Sequence, residues 1–158
     1  MSLFRANFVP AGRYKHTRAE LEAVTKPGRA LSGSLLLTGG GFYGGDRTEV
    51  EPSLTYRMNR HFQFSQSVSW NFVDLPPEES FTRVLSRSRV AFALNTHLTA
   101  GALIQYDNDL RETSLNFRVG YQFSEGTELF VVYDHGEEEV PLRRTQGRLL
   151  VKVTYLFR

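Results

Sequence analysis

An all-β chain with antiparallel, up-and-down strand order is what this sequence predicts, and three observations carry the expectation. Apolar and polar residues alternate with period two along most of the chain. Helix signals are nearly absent, and turn residues punctuate the alternating runs at short intervals. The 158 residues suit one domain, spanning 1–158, and 13% of them are aromatic, as β-rich chains favour.

Taken in order, residues 1–11 are expected to be poorly ordered, or to supply a partial strand over Leu3 to Val9. Arg13 to Val24 alternates with only Ala19, Leu21 and Ala23 as apolar support. A helix competes there because AELEA is a good helix former, and its neighbours favour a strand. Leu31 to Thr38 has strand composition. From Glu49 to Met58, the residues Val50, Pro52, Leu54, Tyr56 and Met58 face one way, and Glu49, Glu51, Ser53, Thr55 and Arg57 the other. The next run sets Phe62, Phe64, Val68, Trp70 and Phe72 against Gln63, Ser65, Ser67, Ser69 and Asn71. Thr82 to Leu94, Leu98 to Tyr106 and Glu128 to Tyr133 are weaker strands. Leu115, Phe117, Val119, Tyr121 and Phe123 alternate strongly, as do Leu149, Val151, Val153, Tyr155 and Phe157. That makes eight to ten strands.

The connections sort into two kinds. Tight turns are expected at Lys26–Arg29, Met58–His61, Asn95–His97 and Ser124–Thr127. Longer ones are expected at Gly39–Thr48, Asp74–Ser80, Asp107–Glu112 and Asp134–Gly147. Short and long alternate along the chain, so a meander would place all the short turns at one end. Outer-membrane barrels show that asymmetry, with short periplasmic turns and long external loops. It would put the C-terminus on the periplasmic side.

The faces point the same way. The polar faces are rich in Ser, Asn, Gln and Arg, as a crowded wet interior needs. Aromatics on the apolar faces gather towards the strand ends: Tyr56, Phe62, Tyr121, Tyr155 and Phe157 at one end, Trp70, Phe72, Tyr106 and Tyr133 at the other. Two such belts are expected where a barrel meets the membrane–water boundary. The sequence expectation is therefore an antiparallel up-and-down transmembrane β-barrel, complete or part of a larger one. A soluble lipocalin-like barrel binding an apolar ligand is the alternative, with the apolar faces turned inward.

Other classes are poorly supported. No run approaches the roughly 18 apolar residues of a membrane helix, and MSLFRANFVPAGRYK has no apolar core of signal-peptide length. Lys and Arg number 19 against 17 Asp and Glu, scattered rather than clustered, so nucleic acid is not an expected partner. His16, His61, His97 and His135 have no metal-pair spacing, and no G-x-S-x-G, phosphate-loop or dinucleotide fingerprint is present. No metal, cofactor or catalytic set is expected. Asp107-Asn108-Asp109 has the alternating oxygens of a calcium loop but lacks the following Gly and distant Glu, which favours a plain turn. The functional candidates are interior charges: Arg57, Arg83, Arg87, Arg89, Arg118, Glu49 and Glu51, with Glu20 and Glu22. In a narrow barrel they pair and plug the interior. In a wide one they line a channel and bias it towards anions.

Several stretches occur here in a familiar order: VPAGRY, RALSGSLLLTGGGFYGGDRTEVEPSLTYRMN, ALIQYDNDLRETSLNFRVGYQF, GTELFVVYDHGEEE and LLVKVTYLFR. Together they resemble the C-terminal region of large bacterial outer-membrane proteins whose N-terminal part resembles a family 9 carbohydrate-binding module. The resemblance covers nearly the whole chain and implies a β-barrel of uncharacterised function. The binding module is absent from this sequence, and the chain ends on Arg158 where a barrel-assembly signal ends on an aromatic residue. The expected role is a non-enzymatic anchor or pore portion of a larger envelope protein in the bacterial outer membrane. Its expected partners are membrane lipid, lipopolysaccharide, the barrel-assembly machinery and other envelope subunits.

Overall fold

The computed structural model describes residues 16–26, 28–75, 79–138 and 144–155. The expectations for Leu3 to Val9, for the start of the Arg13 to Val24 strand and for Phe157 fall outside those residues. Nine strands are described: β1 (Arg18–Val24), β2 (Leu31–Phe42), β3 (Gly45–Arg57), β4 (Phe62–Leu75), β5 (Glu79–Ala93), β6 (Leu98–Asp107), β7 (Glu112–Ser124), β8 (Thr127–Glu138) and β9 (Arg144–Thr154). They form one antiparallel sheet in sequence order, with no helix among the described residues. The AELEA segment is a strand. Its seven residues in β1 pair with Ser34 to Gly40, and that ladder outweighs a local helix preference too short to nucleate by itself.

The sheet is open. β1 and β9 are its two edges, so the closed barrel expected from the sequence is not formed by these strands. The register nevertheless steps across the first strands. The row of paired residues that starts at Leu31, the first residue of β2, passes Tyr56, Phe64, Val90, Ala102, Phe117 and Tyr133. It arrives at Leu149, in the middle of β9. Counted from the strand ends on the side of the β3–β4 turn, the row climbs one residue per strand from β2 to β6 and stands at the sixth to eighth residue from β7 to β9. Ladder bonds run perpendicular to antiparallel strands, so such a climb means strands tilted to the line of turns, as in barrel walls. The tilt also explains how Tyr56 lies by a turn while its distant row-mate Tyr133 lies well inside its strand.

The connections differ from expectation. Gly39 to Thr48 is not a long loop: β2 runs on to Phe42 and β3 begins at Gly45. Only Tyr43 and Gly44 connect them, at φ 49° and 87°, as a type I′ hairpin turn requires. Two glycines make this extension possible. A Cβ on Gly40 would sit 2.1 Å from the Thr17 carbonyl oxygen, and one on Gly45 1.9 Å from that of Asp74. Strands likewise extend to Leu75 and from Glu79, to Asp107 and from Glu112, and to Glu138 and from Arg144. Three of the four long connections are thus largely strand, because backbone ladders persist where side-chain alternation fades, while Asp107–Glu112 keeps a four-residue turn over Asn108–Arg111. The expected contrast in loop length between the two ends disappears with them, and with it that argument for which end is periplasmic.

The faces fall as expected. Pairing places Glu49, Glu51, Arg57, Arg83, Arg87, Arg89 and Arg118 on one face, with Ser53, Thr55, Ser65, Ser67, Ser69 and Asn71. Tyr56, Phe62, Trp70, Phe72, Tyr106, Tyr121 and Tyr133 lie on the other. Tyr155 follows β9 and is exposed.

Shelter is distributed unevenly between the faces. Neighbours Phe72 and Val73 point to opposite faces, and Phe72 is 47% exposed while Val73, on the polar side, is 5% exposed. Asp107, also on the polar side, is 8% exposed, whereas Ile104 on the apolar side is 46% exposed. Convergence of side chains on the polar side and splaying on the apolar side is the pattern of a sheet curved towards its polar face. The polar side is not sheltered throughout, since Phe81, the register partner of Val73, is 44% exposed. Among the described residues, no second layer covers either face, and Val73 is the lone buried apolar residue.

Candidate functional site

The polar face carries the candidate site, and its charges fall into two groups. The first group is paired. On β3 and β4, Arg47 donates through Nη2 to Glu49 at 2.9 Å and through Nε to Asn71 Oδ1 at 2.9 Å. Ser69 Oγ donates to the same Glu49 carboxylate at 3.2 Å, and Asn71 Nδ2 donates to Ser69 Oγ at 3.0 Å. Towards the turn between β3 and β4, Arg57 Nε donates to Gln63 Oε1 at 3.1 Å. On β8 and β9, Asp134 accepts from Asn116 and, at 3.1 Å, from Arg148.

The most developed pair is Arg83 with Asp107. Arg83 Nη2 lies 2.6 Å from Asp107 Oδ2, and the carboxylate's other oxygen accepts from the backbone N–H of Asp109 at 3.0 Å. Beside it, Asn108 Oδ1 accepts from the Val84 N–H at 2.6 Å, while Asn108 Nδ2 donates to the Thr82 carbonyl at 3.1 Å. β5 outruns its pairing with β6, which ends at Leu85–Asp107. Asn108 takes over there with its side-chain amide, occupying backbone groups that the missing ladder would have left bare. Asp107-Asn108-Asp109 is therefore a latched turn. Both oxygens of Asp107 are engaged within the protein, as a plain turn requires.

The second group lacks carboxylate partners. Arg87 and Arg89 are exposed on β5, and no Asp or Glu of the described residues lies in ion-pair range of either. Their register neighbours are Ser67 and Gln105 for Arg87, and Ser65 and Leu103 for Arg89. Arg118, on β7, places its guanidinium carbon 4.3 Å from the centre of the Phe130 ring. That stacking holds the cation without neutralising it. The expected interior set is thus split: Glu49 and Arg83 are ion-paired, Arg57 is held by neutral partners, and among the described residues Glu51, Arg87, Arg89 and Arg118 have no ion pair.

Sequence reasoning missed Arg47, Asp107 and Asp134 as members of the paired group, because their partners are fixed by register rather than spacing. It also missed a polar island on the apolar face. Gln66 bonds to Ser86 Oγ at 3.0 Å and accepts from Ser88 Oγ, beside the apolar Leu54 and Ile104. The break in alternation at Gln66 was the available signal.

Among the described residues, Asp74, Ser80 and His135 do not come together as a hydroxyl–histidine–carboxylate set would. Asp74 and Ser80 are register partners beside an open groove of about 500 Å³ lined also by Asp46 and Phe81, but His135 lies on β8 opposite Leu115. His61 and His97 serve turns. Their Nδ1 atoms lie 2.6 Å and 2.9 Å from the carbonyl oxygens of Ala93 and Gln122. Asn59 and Asn95 cap the same turns, each Oδ1 accepting from two backbone N–H groups. Among the described residues, no three His, Asp or Glu side chains gather as a metal site would need. Comparison with protein-family models, with curated proteins and with solved structures finds no match for this chain.

Proposed function

We propose that this chain is the wall of a bacterial outer-membrane β-barrel, with its apolar face against lipid and its polar face lining an aqueous interior. On this reading it is a non-enzymatic anchor or pore portion of a larger envelope protein. Its partners are membrane lipid, lipopolysaccharide, the barrel-assembly machinery and other envelope subunits. The observation that carries the reading is the inverted shelter of the two faces. Large apolar side chains such as Phe72, Ile104 and Phe117 stand exposed on one side, while Val73, Asp107 and the small polar residues of β3 and β4 are more sheltered on the other, where Phe81 is the exposed exception. Water penalises an exposed face this rich in large apolar side chains, and lipid does not. A soluble ligand-binding barrel would curl the opposite way, around its apolar side chains.

Further support comes from strand length and tilt. Strands of 10 to 15 residues from β2 to β9 meet or exceed the roughly 9–11 residues that cross a bilayer. The resemblance to barrel regions of large outer-membrane proteins agrees with this role. Trp70 tests it. Being on the apolar face, its fluorescence is expected to be strongly quenched when the chain is reconstituted in vesicles of brominated phosphatidylcholine. Unquenched Trp70 in a chain that stays monomeric without detergent would sink the reading and favour the soluble barrel.

A further inference from the structure

We propose that Arg87, Arg89 and Arg118 form an anion-selecting patch, taking solutes that carry two or more phosphate or carboxylate groups. The proposal rests on the reading of the polar face as the wall of an aqueous interior, and it names what that interior favours. Three observations lead to it.

The first is placement. Arg87 and Arg89 project from the same face of β5, about 7 Å apart along the strand. Arg118 pairs with Gly101 on β6, which pairs in turn with Ala91 on β5, so Arg118 stands two strand spacings across and two residues along from Arg89, about 12 Å, and about 17 Å from Arg87. Ala91 and Gly101 carry nothing larger than a methyl group between Gln63 and Arg118. The cations therefore border a stretch of wall kept clear of side chains.

The second is charge. Like charges this close repel, and placing them together without carboxylates costs stability. Elsewhere on this face, Arg47, Arg83 and Arg148 each have a carboxylate at 2.6–3.1 Å. Arg57, by the turn between β3 and β4, has no carboxylate among the described residues but is tied to Gln63 and the Arg29 carbonyl. Arg87, Arg89 and Arg118, in the middle of the sheet, stand exposed to whatever enters.

The third is chemistry. Planar guanidinium groups offer paired N–H donors that match phosphate and carboxylate oxygens. Ser67 and Gln105, the neighbours of Arg87, are neutral hydrogen-bonding side chains. Stacking on Phe130 fixes the plane of Arg118 and leaves its N–H edge available. A multivalent anion can bridge Arg87 and Arg89, about 7 Å apart, and reach towards Arg118 about 12 Å from Arg89, which a monovalent ion cannot, so the patch discriminates by number of charges as well as by sign.

The test uses the full chain in planar bilayers under a potassium chloride gradient, with tripolyphosphate and citrate as probes. The wild type is expected to prefer chloride to potassium and to be blocked by both probes. In R87Q/R89Q the preference should fall, and the blocking concentration should rise at least about fivefold, the effect of one unit charge near contact in water. A conducting R87Q/R89Q with unchanged reversal potential and block overturns the proposal and leaves the barrel reading standing. If the inserted chain does not conduct, the pore reading falls and calorimetric titration in detergent decides. Tripolyphosphate binding that is lost in R87Q/R89Q upholds the patch, and no binding to the wild type overturns it.

Discussion

Arg83 and Arg87 sit on one strand, one face and four residues apart, yet the sheet treats them differently. Arg83 lies where β5 outruns β6, and there the chain assembles a latch from Asp107, Asn108 and two turn N–H groups. Arg87 lies where β5 is flanked on both sides by paired strands, with serine and glutamine as neighbours and no carboxylate. The difference teaches where this fold needs polar side chains to hold it together. In the middle of the sheet the backbone ladder satisfies every N–H and C=O, so side chains are released for other work. At the hairpin ends the ladder runs out, and side chains must replace it.

If that contrast is right, substitutions at the hairpin ends should cost stability and those in the middle should not. Gly45→Val should have the largest effect. Its side chain would collide with the Asp74 backbone, where even a Cβ has only 1.9 Å. The hairpin must shift or detach from β4, and the expected loss is about 3 kcal/mol or more, in the range of severe overpacking. Far-UV circular dichroism across a urea titration in detergent would register it, and a wild-type midpoint would refute the close approach. Asp107→Ala should come next, at about 2 kcal/mol, because it strips Arg83 and two turn N–H groups of their acceptor. The same titration read at Trp70, close to the latch through its partner Val84, should show the earlier transition. Smallest is R87Q/R89Q, expected within about 0.5 kcal/mol of wild type or slightly more stable, since repulsion is relieved. A loss comparable to that of Asp107→Ala would erase the distinction between strut and patch.

Much of this was legible from residues alone, and the boundary of legibility is physical. Alternation placed Val50 to Met58 and Phe62 to Phe72 on their faces correctly because side-chain direction is a property of the strand itself. It failed at Gly39–Gly41 and Asp46–Thr48, where the ladder continues through residues with no polarity pattern to read. The arginines of the candidate site were legible as a set but not as two groups. Arg83 meets Asp107 only because register brings residues 24 positions apart side by side. Closure was expected and is not formed, since alternation describes a strand's two faces and carries no information about its edges.

Those edges have an arithmetical consequence. With the nine described strands in strict meander, β1 and β9 run in the same direction. A ring made only of antiparallel seams needs an even total. Whatever joins the two edges of this sheet in that manner must contribute an odd number of strands. A second copy inserted the same way up would meet it along two parallel seams, and one inserted upside down would leave half of the ring facing the wrong side of the membrane. Parity alone thus sorts the ways this sheet can be completed.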